Sequence, residues 1–489
     1  MFRRFMVLTL TLAGSCLGLA SCGEPGRNAQ SGTLLANHRS DVARVGRQEI
    51  RWEECSEKDI AGGVTCGRLA VPVDWAKSNS RKVDLRIYRW TAEGRTKSKG
   101  TILNFPPGPG ERGDMGFGAL RDMFPDYDLV ALDPRGTGSS GQLTCPTSNV
   151  LKTPLVPPVK RDEFSALQAN QKILWAKCST DPGELKSHLD AFSDAKDAET
   201  LRIALGMKKI NLYALSWGTL TAERYLGLFG EHVNGSLLEG VMNPALTRRA
   251  FITTAAASSE AVHDRFLRWC TTDTSCALHG TNVANVLKRA QKNAAAGRIP
   301  GSMFGRPWSP AAVTQYVQTA SGNNQFAQAA KGLNDLSRGQ NPTQDGADPS
   351  ADDELPQRFP YADPIVCSSF NLGVKSAQDA HDDLVTTEKA APSIGYSTNA
   401  TAYTALCVGA AAPAPGSDTP ATSRSAHPVM LISNTLDPAT PMAWADAVAR
   451  QFGAKTLHVV THGIGHGNAL ENPEIRRRAI AYMSRANAK

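Results

Sequence analysis

The stretch Lys208-Lys209-Ile210-Asn211-Leu212-Tyr213-Ala214-Leu215-Ser216-Trp217-Gly218-Thr219 decides how the rest of the chain is read. A short apolar run rises to one serine, a glycine follows two residues later, and a helical pattern over 221–229 takes over. Continuous apolar runs mark buried strands and a 3.6-residue period marks helices, so the stretch predicts a strand, a sharp turn and a helix. A serine on such a turn stands exposed at the carboxyl end of its strand, where its hydroxyl is placed to attack. Small residues must flank it because the turn is tight; here they are Ala214 and Gly218. Serine–glycine turns are common, so the meaning of this one rests on the partners the chain supplies.

Upstream, apolar and polar residues alternate over 64–75 and again over 82–91, the pattern of antiparallel edge strands. Residues 100–105 form a short apolar strand that runs into Pro106-Pro107-Gly108-Pro109-Gly110. Another, 127–132, ends in Asp133-Pro134-Arg135-Gly136-Thr137-Gly138-Ser139-Ser140. A helical stretch at 195–205 precedes the serine strand, and a further strand at 235–241 follows its helix. Strands alternating with helices, each strand continuously apolar, predict a parallel sheet covered on both faces. The alternation stops after Pro244. Residues 245–425 read as helix and loop, with an acidic, Pro-rich segment (340–357) and an Ala/Pro/Ser-rich one (409–425), both expected to be mobile. Strands resume at 427–433 and 455–460, with helices at 442–452 and 473–488. The expected class is α/β: a mostly parallel sheet with helices on both faces, built from 49–244 and 426–489 and interrupted by a mainly helical cap at 245–425.

A serine hydroxyl is a poor nucleophile near neutral pH. It needs an imidazole to take its proton and a carboxylate to orient that imidazole. The strand–turn–helix pattern around Ser216 resembles the nucleophile elbow of α/β-hydrolases, and that resemblance implies partners in the order serine, acid, histidine at the carboxyl ends of later strands. Strand 427–433 ends in Asn434-Thr435-Leu436-Asp437-Pro438, and strand 455–460 ends in Thr461-His462-Gly463-Ile464-Gly465-His466-Gly467. Asp437 is the candidate acid; its competitor Asp446 falls within the next helix and is expected to face water. His466, between two glycines that give the ring room to swing, is the candidate base. His462 is its rival, and His458, inside the strand, reads as packed. An oxyanion needs two backbone donors. One is the N–H of Trp217, after the nucleophile; the other comes from the loop after residues 101–105, where Gly108 permits a strained backbone.

The chain of 489 residues is 41% hydrophobic, enough for a large core. Its net charge of +7 is spread without a basic run, which argues against a nucleic-acid partner. Arg3 and Arg4 precede an apolar stretch, 5–20, that is short for a membrane span and ends in Leu19-Ala20-Ser21-Cys22-Gly23. This ending resembles the lipobox of bacterial lipoproteins, with Cys22 as the lipidated residue; an ordinary secretory signal is the alternative. Residues 1–22 are thus expected to be a lipoprotein signal peptide and 23–48 a flexible tether, with the chain exported and held to the membrane by its lipid. Of ten cysteines, eight remain after Cys16 and Cys22 are set aside: Cys55, Cys66, Cys145, Cys178, Cys270, Cys276, Cys367 and Cys407. An even number in an exported chain suggests disulfides, and sequential pairing is the simplest connectivity. No metal or cofactor is expected.

Taken together, Pro107-Gly108-Pro109-Gly110, Asp133-Pro134-Arg135-Gly136-Thr137-Gly138-Ser139, Leu215-Ser216-Trp217-Gly218-Thr219, Asp437 and Gly465-His466-Gly467 resemble the proline iminopeptidase and tripeptidyl aminopeptidase family. The secreted actinobacterial branch looks most similar, through Val71-Pro72-Val73-Asp74-Trp75, Trp269-Cys270 to Cys276, and Ile365-Val366-Cys367 to Cys407. The resemblance covers most of residues 50–480. It implies an α/β-hydrolase fold, a Ser216–Asp437–His466 triad, an oxyanion hole of Gly108 and Trp217, and release of one or three residues from a free peptide N-terminus without a cofactor. Three departures from the family pattern stand out, the second altering two acidic positions. Ala214 replaces the first glycine of the elbow; Leu238-Glu239-Gly240-Val241-Met242-Asn243-Pro244 stands where an L-D-G-V-x-D-P pattern is usual; Ser369 stands where an aspartate is common. Glu239 remains the candidate for the substrate amine, with a structural role as the alternative. The expected function is an exported serine aminopeptidase acting on short peptides. The alternatives are a carboxylesterase or lactone hydrolase with the same triad, and a non-catalytic surface lipoprotein.

Overall fold

The computed structural model describes residues 41–57, 60–92, 98–342 and 356–487. The expected signal peptide, Cys22, most of the tether and the core of the acidic segment lie outside these residues. Nine strands form one sheet: β1 (Glu53–Glu54), β2 (Val64–Pro72), β3 (Lys82–Trp90), β4 (Thr101–Phe105), β5 (Asp128–Leu132), β6 (Ile210–Leu215), β7 (Val233–Glu239), β8 (Val429–Leu436) and β9 (Thr456–Ile464). Their order is β1-β2-β3-β5-β4-β6-β7-β8-β9. The first three are antiparallel, β3 meets β5 antiparallel, and every pairing from β5 to β9 is parallel. This is the mostly parallel sheet that the apolar runs predicted.

Successive residues of a strand point to opposite faces, and the two cores divide accordingly. Leu103, Leu212, Leu238 and Leu431 point to one face. There they pack against α1 (Ala191–Ala204), α2 (Trp217–Phe229) and α7 (Met442–Phe452). Their neighbours Ile102, Tyr213, Leu237 and Met430 point to the other, under the closing helix α8 (Pro473–Asn487). Arg135 and Asp197, both fully buried, form a two-pronged ion pair at 2.8 and 2.7 Å. The same guanidinium donates to the carbonyls of Val73 and Pro72, and Trp75 donates to Asp197. The Asp133–Ser139 and Val71–Trp75 motifs are therefore halves of one clamp that ties α1 to the sheet edge.

Between β7 and β8, α3 (Arg248–Thr272), α4 (Val283–Ala295), α5 (Pro310–Gly322) and α6 (Phe326–Ser337) bury a core of their own around Phe266, Leu287, Val313 and Leu333. Side-chain oxygens cap three of these helices: Thr247, Asn282 and Ser309 each accept from an N–H of the first turn. The bundle sits on the carboxyl end of β8. Ser258 Oγ donates to the Asp437 carbonyl at 2.6 Å, and Gly322 is so close to Pro438 that a Cβ there would lie 2.9 Å from its ring. Four disulfides join Cys55–Cys66, Cys145–Cys178, Cys270–Cys276 and Cys367–Cys407, the sequential pairing. Among the described residues no helix is long and apolar enough to cross a membrane.

Three expectations need correction. The tether does not reach residue 48: residues 41–45 form a helical turn, Val42 is fully buried, and Gly46 packs against Ile203 of α1. Gln48 then exchanges two hydrogen bonds with the backbone of Ala70. The apolar pair Val42 and Val45 explains this, since both seat on the sheet's helical layer. Residues 409–425 are likewise not free. Arg224 donates to the Ser417 carbonyl, Ala421 N donates to Gln451, Arg424 N donates to the Leu226 carbonyl, and Ala421 is buried. A Pro/Ala composition describes the lack of helix or strand there and misses the side chains that satisfy the backbone. Finally, β9 runs four residues beyond 460, which puts His462 inside the strand rather than after it.

Candidate active site

β6 delivers the chain to Ser216, whose φ of 56° and ψ of −123° lie in a region that residues with a Cβ avoid. Such a conformation costs on the order of 1–3 kcal/mol and persists only where its surroundings over-determine it. Here Ser216 N donates to the Glu239 carbonyl of β7 at 2.9 Å, while the Ser216 carbonyl accepts from Thr219 N at 2.9 Å and Thr219 Oγ1 at 2.7 Å. α2 begins at the next residue. A Cβ on Gly218 would lie 2.4 Å from the Phe105 carbonyl oxygen and 2.6 Å from that of Pro106. Glycine is required at that position because the helix closes directly on the loop after β4. Ala214 pairs with Phe105 on one side and Leu238 on the other and is fully buried there, so the sheet accommodates its methyl group.

Asp437 follows β8 and is 1% exposed. Its Oδ1 accepts from Ala439 N at 2.9 Å and Thr440 N at 2.8 Å, and its Oδ2 accepts from Thr440 Oγ1 at 2.9 Å. The same Oδ2 lies 2.9 Å from His466 Nδ1, and Thr440 Oγ1 lies 3.2 Å from that nitrogen. Asp437 and His466 are therefore brought together with the carboxylate locked from three sides. The imidazole passes close to Gly240, where an added Cβ would lie 3.0 Å from Cε1. Gly467 rests against Leu215, the residue before the serine. Since the carbonyl of Glu239, just before Gly240, holds Ser216 N, the serine and histidine loops meet at one end of the sheet.

Burial works to lower the His466 pKa. The charge and hydrogen bond of Asp437, with the charge of Glu239, outweigh it and hold the imidazole above its ordinary value. Glu239 is 2% exposed, and both its oxygens are engaged. Oε2 accepts from Tyr213 Oη at 3.0 Å, and Oε1 accepts from Ala469 N at 2.8 Å and Leu470 N at 3.3 Å. Burial raises its pKa against these bonds. Its surroundings make it a brace under the histidine loop rather than a receptor for an ammonium group.

The two backbone donor candidates sit on rigid supports. The Trp217 N–H opens α2, where first-turn amides lack intrahelical acceptors. Gly108 adopts a φ of +67° in the loop after β4. That loop is pinned by Asn104 Nδ2, which donates to the carbonyls of Gly113 and Met115 at 2.8 Å each, and by Gly113 N, which donates to Asp133. The Trp217 ring contacts Phe370, Phe370 contacts Phe251 of α3, and Phe251 contacts Trp444 of α7.

The rivals fall elsewhere. His462 is exposed on β9, and Asp446 pairs with His458 at 3.3 Å. His458, His462 and His466 recur every four residues, a metal-pair spacing on a helix; on a strand four residues span about 13 Å, too far for His458 and His462 to share an ion. Thr440 and Ser258 escape sequence reading. The first had a faint signal, an Asp-Pro turn with a hydroxyl three residues on; the second had none.

The fold and this strand–elbow–helix site define an α/β-hydrolase. The family model for the alpha/beta hydrolase fold matches residues 105–473, and the chain belongs to that family. Among particular relatives, it is 31% identical to a tripeptidyl aminopeptidase of Streptomyces lividans over 218 residues, 42% of this chain and 40% of that protein. It is 28% identical to serine protease Hip1 of Mycobacterium tuberculosis (strain ATCC 25618 / H37Rv) over 211 residues, 40% of each. It is 25% identical to a carboxylesterase B of Mycobacterium tuberculosis (strain CDC 1551 / Oshkosh) over 439 residues, 83% of this chain and 82% of that one. The matches to the two peptidases thus span about two fifths of their length. A solved proline iminopeptidase of Mycobacterium smegmatis aligns with 86% of this chain and 99% of its own at a TM-score of 0.42 and 14% identity.

Proposed function

We propose that this chain is an exported serine peptidase that releases residues or tripeptides from the N-terminus of short peptides through an acyl-enzyme on Ser216. The observation that carries the reading is the 2.9 Å contact between His466 Nδ1 and an Asp437 carboxylate whose remaining lone pairs are already filled. That contact assigns the Nδ1 proton and leaves Nε2 as the acceptor. His466 Nε2 takes the Ser216 hydroxyl proton as Oγ bonds to the scissile carbonyl carbon. The oxyanion is met by the N–H groups of Gly108 and Trp217. His466 then returns the proton to the leaving amine as the C–N bond breaks, and water repeats the sequence on the ester. The relatives named as peptidases support the amide substrate, and the four disulfides support export. Lipidation at Cys22 would hold the enzyme at the outer face of the membrane.

A second reading, a carboxylesterase, gains weight from one observation: Glu239, the carboxylate expected to bind an amine, is filled by protein donors. The two separate on a panel of aminoacyl, prolyl and tripeptidyl chromogenic amides beside short-chain esters, with Ser216→Ala as control. Amide hydrolysis that requires a free amine and vanishes in the variant supports the peptidase. Ester hydrolysis without amide hydrolysis replaces it with the esterase.

A further inference from the structure

An aminopeptidase needs an anionic group for its substrate's ammonium, and the carboxylates at the ends of β5, β7 and β8 are engaged. Asp437 holds His466, Glu239 holds Tyr213 and two backbone amides, and Asp133 accepts from Gly113 N, Ser139 N and Tyr88 Oη. Another carboxylate, Asp363, lines a cavity beside the loop after β4. The loop after β4 touches the segment 361–363: a Cβ on Gly110 would lie 2.3 Å from the Cβ of Ala362. The next residue, Asp363, lines a cavity of ≈ 180 Å³ whose walls also include Phe304, Arg306, Asn399 and Tyr403. At about 30 Å³ per water this is room for about six waters, the bulk of one amino-acid residue.

Arg306 is the cation in this wall, and its guanidinium donors are taken by backbone carbonyls rather than by Asp363. Nη2 donates to the Val150 carbonyl at 2.8 Å, and Nη1 donates to the carbonyls of Leu151 and Thr153. Burial pushes the Asp363 carboxyl up, with a Tyr361 hydrogen bond and the Arg306 charge opposing, which is the condition of an anion short of solvation. Phe304, in the same wall, is 75% exposed with a φ of 54°. An aromatic ring held in water on left-handed backbone costs about 1–2 kcal/mol and gains nothing from packing.

We propose that this cavity receives the free N-terminal residue of the peptide substrate, the Asp363 carboxylate taking its ammonium and the Phe304 ring covering its side chain. The assignment rests on the peptidase reading. It also moves the amine site from the position where sequence reasoning sought it, Glu239, to the segment just before Cys367.

The test compares the full chain with Asp363→Asn and Phe304→Ala on free-amine and N-acetylated peptidyl p-nitroanilides and on p-nitrophenyl butyrate. For Asp363→Asn, KM on free-amine substrates should rise about tenfold or more, the loss of one charge-assisted contact, while ester turnover stays within about twofold. Phe304→Ala should raise KM on substrates beginning with Leu or Phe about threefold and leave those beginning with Gly unchanged. The subsite is overturned if wild type cleaves free-amine amides while Asp363→Asn leaves KM unchanged or lowers ester and amide turnover equally. If Asp363→Asn does not fold, Phe304→Ala decides: a loss without side-chain selectivity overturns the proposal. If wild type cleaves no free-amine amide, the peptidase reading falls and the subsite falls with it.

Discussion

Replacing Asp437 by Asn separates the geometry of the site from its charge. The two backbone donors Ala439 N and Thr440 N require an acceptor at the Oδ1 position. An asparagine satisfies them with its carbonyl oxygen, and its NH2 then occupies the place of Oδ2, facing His466 Nδ1. Flipping the amide would point two N–H donors at each other twice over and leave buried groups unpaired, at about 1–3 kcal/mol each. Nδ1 must therefore become an acceptor, the proton moves to Nε2, and the imidazole cannot accept the serine proton. The fold should survive, because shape and two of the three anchoring bonds are kept. The expected loss in kcat is about 10⁴-fold, or about 5.5 kcal/mol at 1.36 kcal/mol per factor of ten. The assay is steady-state hydrolysis of the preferred chromogenic substrate, with thermal unfolding as control. A folded Asp437→Asn protein that keeps more than about a tenth of wild-type kcat would refute the assignment of the acid.

Further outcomes follow from the same bonds. The His466 pKa is raised and the base must be neutral, so kcat/KM should climb as pH rises through an apparent pKa above the ordinary 6.5; an acid limb below 6.5 contradicts the Asp437 contact. Glu239→Gln removes one of the charges that raise that pKa and should shift the limb downwards, with free-amine KM unchanged because Asp363 carries the amine. Glu239→Ala strands three buried donors and should cost about 3 kcal/mol or more in denaturant unfolding. Thr440→Val deletes a hydroxyl bonded to Oδ2 and should lower kcat/KM about tenfold with KM little changed; an effect below twofold would remove Thr440 from the positioning of the acid.

Features with a period or a fixed chain order were the ones legible in the sequence. Apolar runs at residues 101–105 and 210–215 located central strands, and the end of each late strand located Asp437 and His466. What escaped was set by contacts between distant segments. Thr440 sits in an irregular turn with no pattern of its own, and its importance comes from where Oδ2 and Nδ1 meet. Glu239 read equally as an amine ligand or a structural residue because its exposure could not be seen; burial against Tyr213 and the 469–470 amides favours the structural role. Residues 409–425 have the composition of a loose strap, yet Arg224 and Gln451, far away in sequence, satisfy its backbone. Asp363 and Phe304 lie about sixty residues apart, and only the packing of the bundle puts them around one cavity.

The central claim is that Ser216 is an activated nucleophile. Its most direct test is incubation with an alkyl fluorophosphonate, followed by peptide mass spectrometry. The account predicts one adduct per chain, on the peptide containing Ser216, and slow or absent labelling in His466→Ala. An unlabelled wild-type protein, or an adduct on another residue that persists in Ser216→Ala, would contradict it.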